Sequence, residues 1–373
     1  MKILFVSSYY GEGEGGADIS TRLLADSLRK NGVWIDIASI NASSRPGVYP
    51  LIMYWPLPTQ LIAFLLNTPF LDRYLAKRIQ KVVSLLKPDI LHVHDIMLLP
   101  AAVHVTKKMN IQCIVTVRDL RFLTNIPIQT MDDLMLDFSS PLMYLHYLTK
   151  QKGLLEALCA FPFIFFRPKT IRWALRRADH IVAISHFVKK QLITIGIDKE
   201  QINVVHNLAP EWKKSTVKKS QEDRNKVIFF SPGRLEHYKG FHLLIEAMRE
   251  FKKLNVKLFI AGEGPEEKKL KALVASYGLL EQVIFLGKLP YEQIKEWYGR
   301  CDAVLFPSLW PEALGRVPLE ARAAGKVCIA SNVGGIPEIT QRKYCVEANA
   351  SAFAHAMNVF IKRLSHSEKN KKA

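Results

Sequence analysis

At 373 residues the chain is too long for one ordinary domain and suits two, and an apolar content of 49% is enough for two cores. Its formal net charge of +18 is spread over both halves, with no block except a terminal KNKK run, and points to anionic partners: nucleic acid, acidic lipid or phosphorylated ligands. Five cysteines, odd in number and without close pairing, argue for a reducing cytoplasm and against a disulfide framework or a zinc site, while MKILFVSSYY is too polar after Val6 for a signal peptide.

The first apolar run, Ile3 to Val6, reads as a buried strand. A glycine-rich loop, YGEGEGGAD from Tyr10 to Asp18, leads into a helix expected from Ile19 to Lys30. Strand, glycine loop and helix together present backbone N–H groups to a phosphate, although the loop fits GxGxxG poorly as a dinucleotide fingerprint. A strand over Trp34 to Ile40 follows. Pro46 to Leu71 carries no charge and five prolines. It reads either as a loop over a core helix from Gln60 to Asn67 or as an apolar acceptor or membrane contact. The prolines argue against a spanning helix. Arg73, Lys77, Arg78 and Lys81 come next, as on the polar face of an interfacial helix.

Ile90 to Val93 is a strand ending in His94-Asp95, Pro100 to Met109 a helix, and Ile114 to Val117 a strand ending in Arg118-Asp119. Polar residues at successive strand ends mark the rim of a cleft, although a lone His–Asp pair is often structural. A second apolar stretch, Leu154 to Phe166, precedes Arg167, Lys169, Arg172, Arg176 and Arg177, which suits either a bilayer interface or a core helix with a solvated face. A strand at Ile181 to Ile184, a helix at Val188 to Ile195 and a short strand at Val204-Val205 complete this half.

Residues 207–225 lack an apolar period and read as the linker between a first domain, 1–206, and a second, 226–373. Alternation then restarts with a strand at Val227 to Phe230. The loop SPGRLEHYKG carries Arg234 and Lys239, a guanidinium and an ammonium able to neutralise a diphosphate, or else solvated surface. A helix from Phe241 to Leu254 and a strand from Val256 to Ile260 lead to Gly262-Glu263-Gly264-Pro265. Further strands fall at Val283 to Leu286, Ala303 to Phe306 and Val327 to Ala330, and a last helix at about Ala352 to Leu364. Two parallel-sheet α/β domains are implied, with the cleft they face as the default site.

The richest stretch is FPSLWPEALGRVPLEARAAGKVCIASNVGGIPEI, Phe306 to Ile339. Pro307 and Pro311 force a turn, and a helix is expected from Leu314 to Ala324, ended by Gly325. Glu312 in the loop and Glu320 in the helix are either solvated glutamates or acceptors for sugar hydroxyls. The helix-opening N–H groups near Leu314 and Gly315 suit an anion.

PGRLEHYKG, the AGEGP turn, the E-x7-E helix and SNVGGIPE, preceded by PDILHVHD and ADHIVAISHFVKKQL, together resemble the retaining glycosyltransferases of family 4, in order and over nearly the whole chain. The resemblance implies a GT-B fold of two Rossmann-like domains and a nucleotide-diphosphate sugar as donor. It puts Gly15, Gly16, Arg234 and Lys239 against the diphosphate, with Gly262, Glu263, Leu314 and Gly315 on the donor side. It puts Glu320 on the ribose, Glu312 at the donor sugar, Asp95 near the acceptor, and His94, Arg118 and Asp119 around donor sugar or acceptor. It implies no metal and no other cofactor. The family commonly has His where this chain has Arg118, and a longer C-terminal helix, so an altered end and weaker domain closure are expected. The acceptor implied is a sugar or a lipid-linked saccharide, taken at an anionic membrane face by a cytoplasmic enzyme. A soluble small acceptor is the alternative, and a non-catalytic nucleic-acid binder a remote one, since no nucleic-acid motif is present.

Overall fold

The computed structural model describes residues 1–8, 10, 15–40, 46–52, 69–123, 149, 167–212 and 225–372. Residues 11–14 of the glycine loop, the expected helix at 60–67, the apolar run 154–166 and residues 213–224 of the linker lie outside them. The chain forms two compact units, the change falling between Leu208 and Ala209.

The first unit is built on seven parallel strands: β1 Lys2–Ser7, β2 Trp34–Ser39, β3 Val48–Pro50, β4 Ile90–Val93, β5 Gln112–Val117, β6 His180–Ala183 and β7 Ile202–Val204. Their order in the sheet is β3-β2-β1-β4-β5-β6-β7. Strands covered on both faces read as nearly continuous apolar runs, which is why β1 buries five of its six residues. The chain winds outward from β1 in one direction and from β4 in the other, so the crevice beyond Ser7 and Val93 is the switch point.

Helix α1, Gly16–Lys30, starts three residues before the expected Ile19, with Gly15 at its N-cap and Asp18 in its first turn, where a carboxylate suits the helix dipole. Helix α2, Pro69–Leu86, buries Leu71, Leu75, Ile79 and Val83 at helical spacing and exposes Arg73, Lys77 and Lys81. Arg78 differs from its basic neighbours. It turns inward and donates to the carbonyls of Leu51 (3.2 Å) and Pro50 (3.3 Å), tying α2 to the end of β3. Helix α3 is Leu99–Met109 and α4 is His186–Thr194. Among the later basic residues Arg172 also works internally, donating to Phe122 and Leu123 carbonyls at 2.9 and 2.8 Å.

The second unit has six parallel strands: β8 Val227–Pro232, β9 Val256–Ala261, β10 Val283–Gly287, β11 Ala303–Phe306, β12 Val327–Ser331 and β13 Cys345–Val346. Their order is β10-β9-β8-β11-β12-β13, so its switch point lies beyond β8 and β11. Alternate β8 residues serve opposite cores: Phe229 packs with Leu258 and Phe353, Phe230 with Tyr298 and Phe306. Its helices are α5 Phe241–Ala247, α6 Glu267–Ser276, α7 Tyr291–Arg300, α8 Arg316–Ala323 and α9 Ala350–Lys372. The larger departures from expectation are in the helices. The helix from Phe241 passes into a 3-10 turn at Met248–Phe251, α8 begins at Arg316 rather than Leu314, and α9 runs well past Leu364.

Two glycines let the loops at this switch point touch backbone to backbone. Gly240 has φ +71°, and a Cβ there would lie 2.0 Å from the Pro307 carbonyl oxygen. Gly334 has φ +58°, and a Cβ there would lie 2.3 Å from the Glu312 carbonyl oxygen. Side chains at such φ are strained even in open space. Gly240→Ala and Gly334→Ala are each expected to lower unfolding free energy by about 2–4 kcal/mol. Urea unfolding measures this, and Gly325→Ala serves as comparison, since a Cβ at Gly325 meets nothing within 4 Å.

Candidate active site

In the second unit β11 lies beside β8, with Val304 opposite Phe230, so the loops that follow the two strands are neighbours. The Leu309 N–H donates to the Tyr238 carbonyl at 2.8 Å, and the rings of Tyr238 and Trp310 sit 5.3 Å apart. This contact between the loops brings Lys239 Nζ into an ion pair with Glu312 Oε1. The two side chains are 19% and 15% exposed, so the pair is largely withdrawn from water. Ser308 Oγ donates to the same carboxylate oxygen at 3.2 Å, and the Gly335 N–H holds the Glu312 carbonyl at 2.8 Å. Arg234 stays exposed and donates to the Tyr238 hydroxyl at 2.9 Å. The two cations of the loop therefore have different partners: Lys239 is fixed and Arg234 faces solvent.

Gly262 and Glu263 brace that loop through their backbone. The Leu235 N–H donates to the Glu263 carbonyl at 2.9 Å, while the Glu263 side chain lies 3.6 Å from Lys288 in solvent. Leu314 is buried and precedes α8. Gly315, at φ +90°, is the N-cap. The helix therefore offers N–H groups from Arg316 and Val317, and none from Pro318.

Glu320, on α8, is 5% exposed. Tyr298 donates to Oε2 at 2.9 Å, Tyr291 donates to Oε1 at 3.3 Å, and Arg316 Nε lies 2.9 Å from Oε1. Burial raises the Glu320 carboxyl above its usual range, against the pull of Arg316 and both phenols. Tyr298, fully buried beside that carboxylate, is pushed well above the ordinary phenol value by burial and by Glu320. Tyr291, Tyr298 and Arg316 escaped the sequence reading. Two signals were there: the tyrosines are seven residues apart on α7, on one face, and Arg316 precedes Glu320 by one helical turn.

In the first unit the His94 N–H donates to the Val6 carbonyl at 2.8 Å, which seats His94 at the switch point. Its ring lies tilted against those of Phe5 and His92, each with its centroid 4.1 Å away. Arg118 Nη1 meets His94 Nδ1 at 2.7 Å. A guanidinium only donates, so Nδ1 accepts and the neutral ring carries its hydrogen on Nε2, which is buried without a hydrogen-bond partner among the described residues. Burial, then His92 and Arg118, hold His94 far below the usual imidazole value, and burial with Arg118 brings His92 to about 3. Arg118 falls to about 10 through burial, partly offset by Asp119.

Asp95 and Asp119 share a cation that the sequence reading missed, Arg121. It donates to Asp95 Oδ1 at 2.9 Å and, from Nη2, to Asp119 Oδ2 at 2.6 Å. Burial works to raise the Asp119 carboxyl, but the charge and hydrogen bonds of Arg121 outweigh it and hold it below its ordinary value. Asp95 also accepts from the Met97 N–H at 3.0 Å, capping the turn after β4. Gly15 and Gly16 open α1, and a Cβ at Gly15 would meet nothing within 4 Å. Among the described residues no group of three or more His, Cys, Asp or Glu is clustered to hold a metal ion, and no helix is long and apolar enough to cross a membrane.

Residues 14–209 match the family model described as Glycosyltransferase Family 4, and residues 213–373 match that described as Glycosyl transferases group 1. The chain is 28% identical over 357 residues to an uncharacterized glycosyltransferase of Methanocaldococcus jannaschii, covering 92% of this chain and 83% of that one. It is 28% identical over 175 residues to the gpi3 subunit of phosphatidylinositol N-acetylglucosaminyltransferase from Schizosaccharomyces pombe, a match spanning 46% of this chain and only 38% of that protein. The crystal structure of Anabaena Alr3699/HepE in complex with UDP and glucose superposes with a TM-score of 0.68 at 18% identity, over 98% of this chain and 91% of that one. The chain belongs to glycosyltransferase family 4, and its two Rossmann-like units are those of the GT-B class.

The buried imidazoles predict an acid-side loss of stability. His92 takes a proton near pH 6.5 when unfolded but only near pH 3 when folded, so the unfolded state binds more protons in that window and stability falls as pH drops through it. The limiting slope from His92 alone is about 1.4 kcal/mol per pH unit, with His94 adding in the same direction and Asp119 only below the ordinary carboxylate value. Glu320 opposes them above the ordinary carboxylate value, because its raised carboxyl loses stability as pH rises. Urea unfolding between pH 7 and pH 5 tests this. His92→Asn is expected to flatten the slope, and a wild-type curve that is level over the range refutes the prediction.

Proposed function

We propose that the chain is a retaining transferase that moves a hexose from a nucleotide-diphosphate sugar to an acceptor hydroxyl, in polysaccharide or glycolipid synthesis at the cytoplasmic face of a membrane. The observation that carries the reading is the Lys239–Glu312 pair at the switch point of the second unit, with the buried carboxylate of Glu320 on the helix that follows. A cation beside an acceptor of hydroxyl hydrogen bonds, with a second carboxylate eight residues on, suits diphosphate, sugar and ribose in turn. The Anabaena structure, a complex with UDP and glucose, makes UDP the first nucleotide to try.

In this reading the bond from the anomeric carbon to the diphosphate oxygen breaks while the acceptor oxygen bonds to the same face of that carbon. The acceptor proton passes to the departing phosphate oxygen. Lys239 and Arg234 offset the charge that develops on the leaving group, so a metal ion has no step assigned to it. Glu312, already the counter-ion of Lys239, holds the donor sugar rather than attacking it, and a glycosyl adduct trapped on Glu312 would overturn this. His94, Asp95, Arg118 and Asp119, gathered at the switch point of the first unit, are assigned to recognition of the acceptor or sugar and to no proton transfer.

The membrane part of the proposal draws on Arg73, Lys77 and Lys81, exposed at four-residue intervals along α2. Sedimentation with anionic vesicles that fades with added salt supports it, and no binding at low salt favours the soluble-acceptor alternative.

A thermal-shift panel of nucleoside diphosphates tests the donor site. One of them should raise Tm for the wild type and not for Glu320→Gln. Lys239→Ala is expected to lower kcat by about 10²–10³-fold, and EDTA to leave the rate unchanged.

A further inference from the structure

Glu320 is a buried carboxylate served by two phenols from one helix. Tyr291 opens α7, and Tyr298 lies seven residues on. Seven residues are nearly two full turns, so both side chains leave one face of α7 from backbone positions about 10 Å apart. Tyr298 donates to Oε2 at 2.9 Å and Tyr291 donates to Oε1 at 3.3 Å. Each carboxylate oxygen has about two acceptor positions, and each here carries one phenol. Arg316 Nε, 2.9 Å from Oε1, adds positive charge but no aligned hydrogen bond. One acceptor position therefore stays open on Oε1 and one on Oε2.

A phenol hydrogen-bonds an anion without cancelling its charge. Burial raises the Glu320 carboxyl, and Arg316 and the two phenols work to lower it. An ionised carboxylate accepts at both oxygens, whereas a protonated one has turned an acceptor position into a donor. The two tyrosines are set with different firmness. Tyr298 is fully buried, its ring edge-on to Phe230 and 5.2 Å from Trp212. Tyr291 is half-buried, and its hydroxyl also accepts from Arg316 Nη2 at 3.4 Å. Tyr298 is thus the stronger anchor of the carboxylate and Tyr291 the weaker.

We infer that Tyr298 and Tyr291 are positioning residues of the nucleoside pocket: by holding one oxygen of Glu320 each, they present the two open acceptor positions together to the adjacent hydroxyls of a ribose. The inference rests on the reading of Glu320 as the ribose acceptor. With both phenols in place the carboxylate plane is fixed at two points, and a diol can donate one hydrogen to each oxygen with nothing displaced. With one phenol removed, the carboxylate can turn, and an oxygen at a buried position loses a donor that the ligand has to replace. The affinity gained from the diol then falls.

The test is calorimetric titration of wild type, Tyr298→Phe and Tyr291→Phe with UDP and with its 2′,3′-dideoxy analogue, which lacks the diol. Tyr298→Phe is expected to weaken UDP by roughly 10-fold and Tyr291→Phe by roughly 3-fold, the range for one hydrogen bond, while neither changes the Kd of the dideoxy analogue. Repeating the titrations at lower pH adds a readout that simple loss of packing would not move. The preference for UDP over its analogue should fade as Glu320 takes up a proton, and fade at higher pH in Tyr298→Phe than in wild type. Equal changes for both ligands, no change, or tighter binding of UDP would overturn the role of the tyrosines while leaving the donor site standing. A wild type that binds both ligands equally, or neither, takes down the reading of Glu320 as ribose acceptor and this inference with it. Circular dichroism checks that each variant is folded, and the half-buried Tyr291 carries the test where loss of the Tyr298 hydroxyl disturbs the core.

Discussion

An ammonium and a carboxylate that are 73 residues apart in sequence meet at the mouth of the second sheet, and the local structure is arranged to keep them there. Both follow parallel strands, and the strands are neighbours because the winding reverses between them. Loops at that point come close only if their backbones touch, and they touch through glycines at positive φ. The ion pair is largely dry, where withdrawing two charges from water offsets much of their attraction. It therefore contributes little net stability while demanding an accurate scaffold. Such an arrangement is hard to account for as a device for folding, and it fits a site that exchanges one anionic partner for another.

The first sheet meets the same constraint differently. At its switch point the charge is carried by arginines: Arg121 binds two aspartates and Arg118 binds an imidazole. A guanidinium on Nδ1 forces the neutral tautomer of His94 and turns its one N–H toward Nε2. Contact with Phe5 and His92 fixes the ring plane. A histidine at the position of Arg118 would itself be a second imidazole with its own tautomer, whereas arginine has only one hydrogen-bonding character. Arg118 thus supplies a fixed donor where a histidine would supply a proton-exchanging group. In the proposed mechanism that is compatible with binding and orientation, and it assigns no proton transfer to this corner.

Most strands were plain from the letters, because a doubly covered parallel strand must be apolar throughout, but their order in the sheets was not. Ile90 to Val93 and Ala303 to Phe306 were placed to the residue. Helix ends were less legible. At Leu314 the choice between helix and loop rests on the φ of Gly315, which no neighbouring residue type reports. β3 was missed since it is three residues long and ends in proline. The strand-end residues His94, Asp95, Arg118 and Asp119 could be found from position alone. Arg121 could not, because its value lies in which aspartates it reaches. The basic runs were read as polar faces, yet Arg78 and Arg172 turn inward to carbonyl oxygens. A long side chain can serve either surface or backbone, and composition does not distinguish the two.

Apart from the exposed Arg234, both switch points hold their charges already partnered, and in the proposed reading that sets what binding can be worth. In the proposed reading, a diphosphate that takes Lys239 would leave Glu312 with the Ser308 hydroxyl, so the gain would be the difference between two ion pairs rather than the full strength of one. The Glu312 carboxylate, released from its cation, would become a better acceptor as a sugar hydroxyl arrived beside it. Affinity in such a site is modest for each group taken alone and rises when diphosphate, sugar and ribose arrive together, because each displaced partner frees an acceptor for the next. Discrimination then falls on whole nucleotide sugars rather than on free phosphate or free sugar. A strongly basic chain surrounded by other anions has need of that property, since charge alone would attract them all.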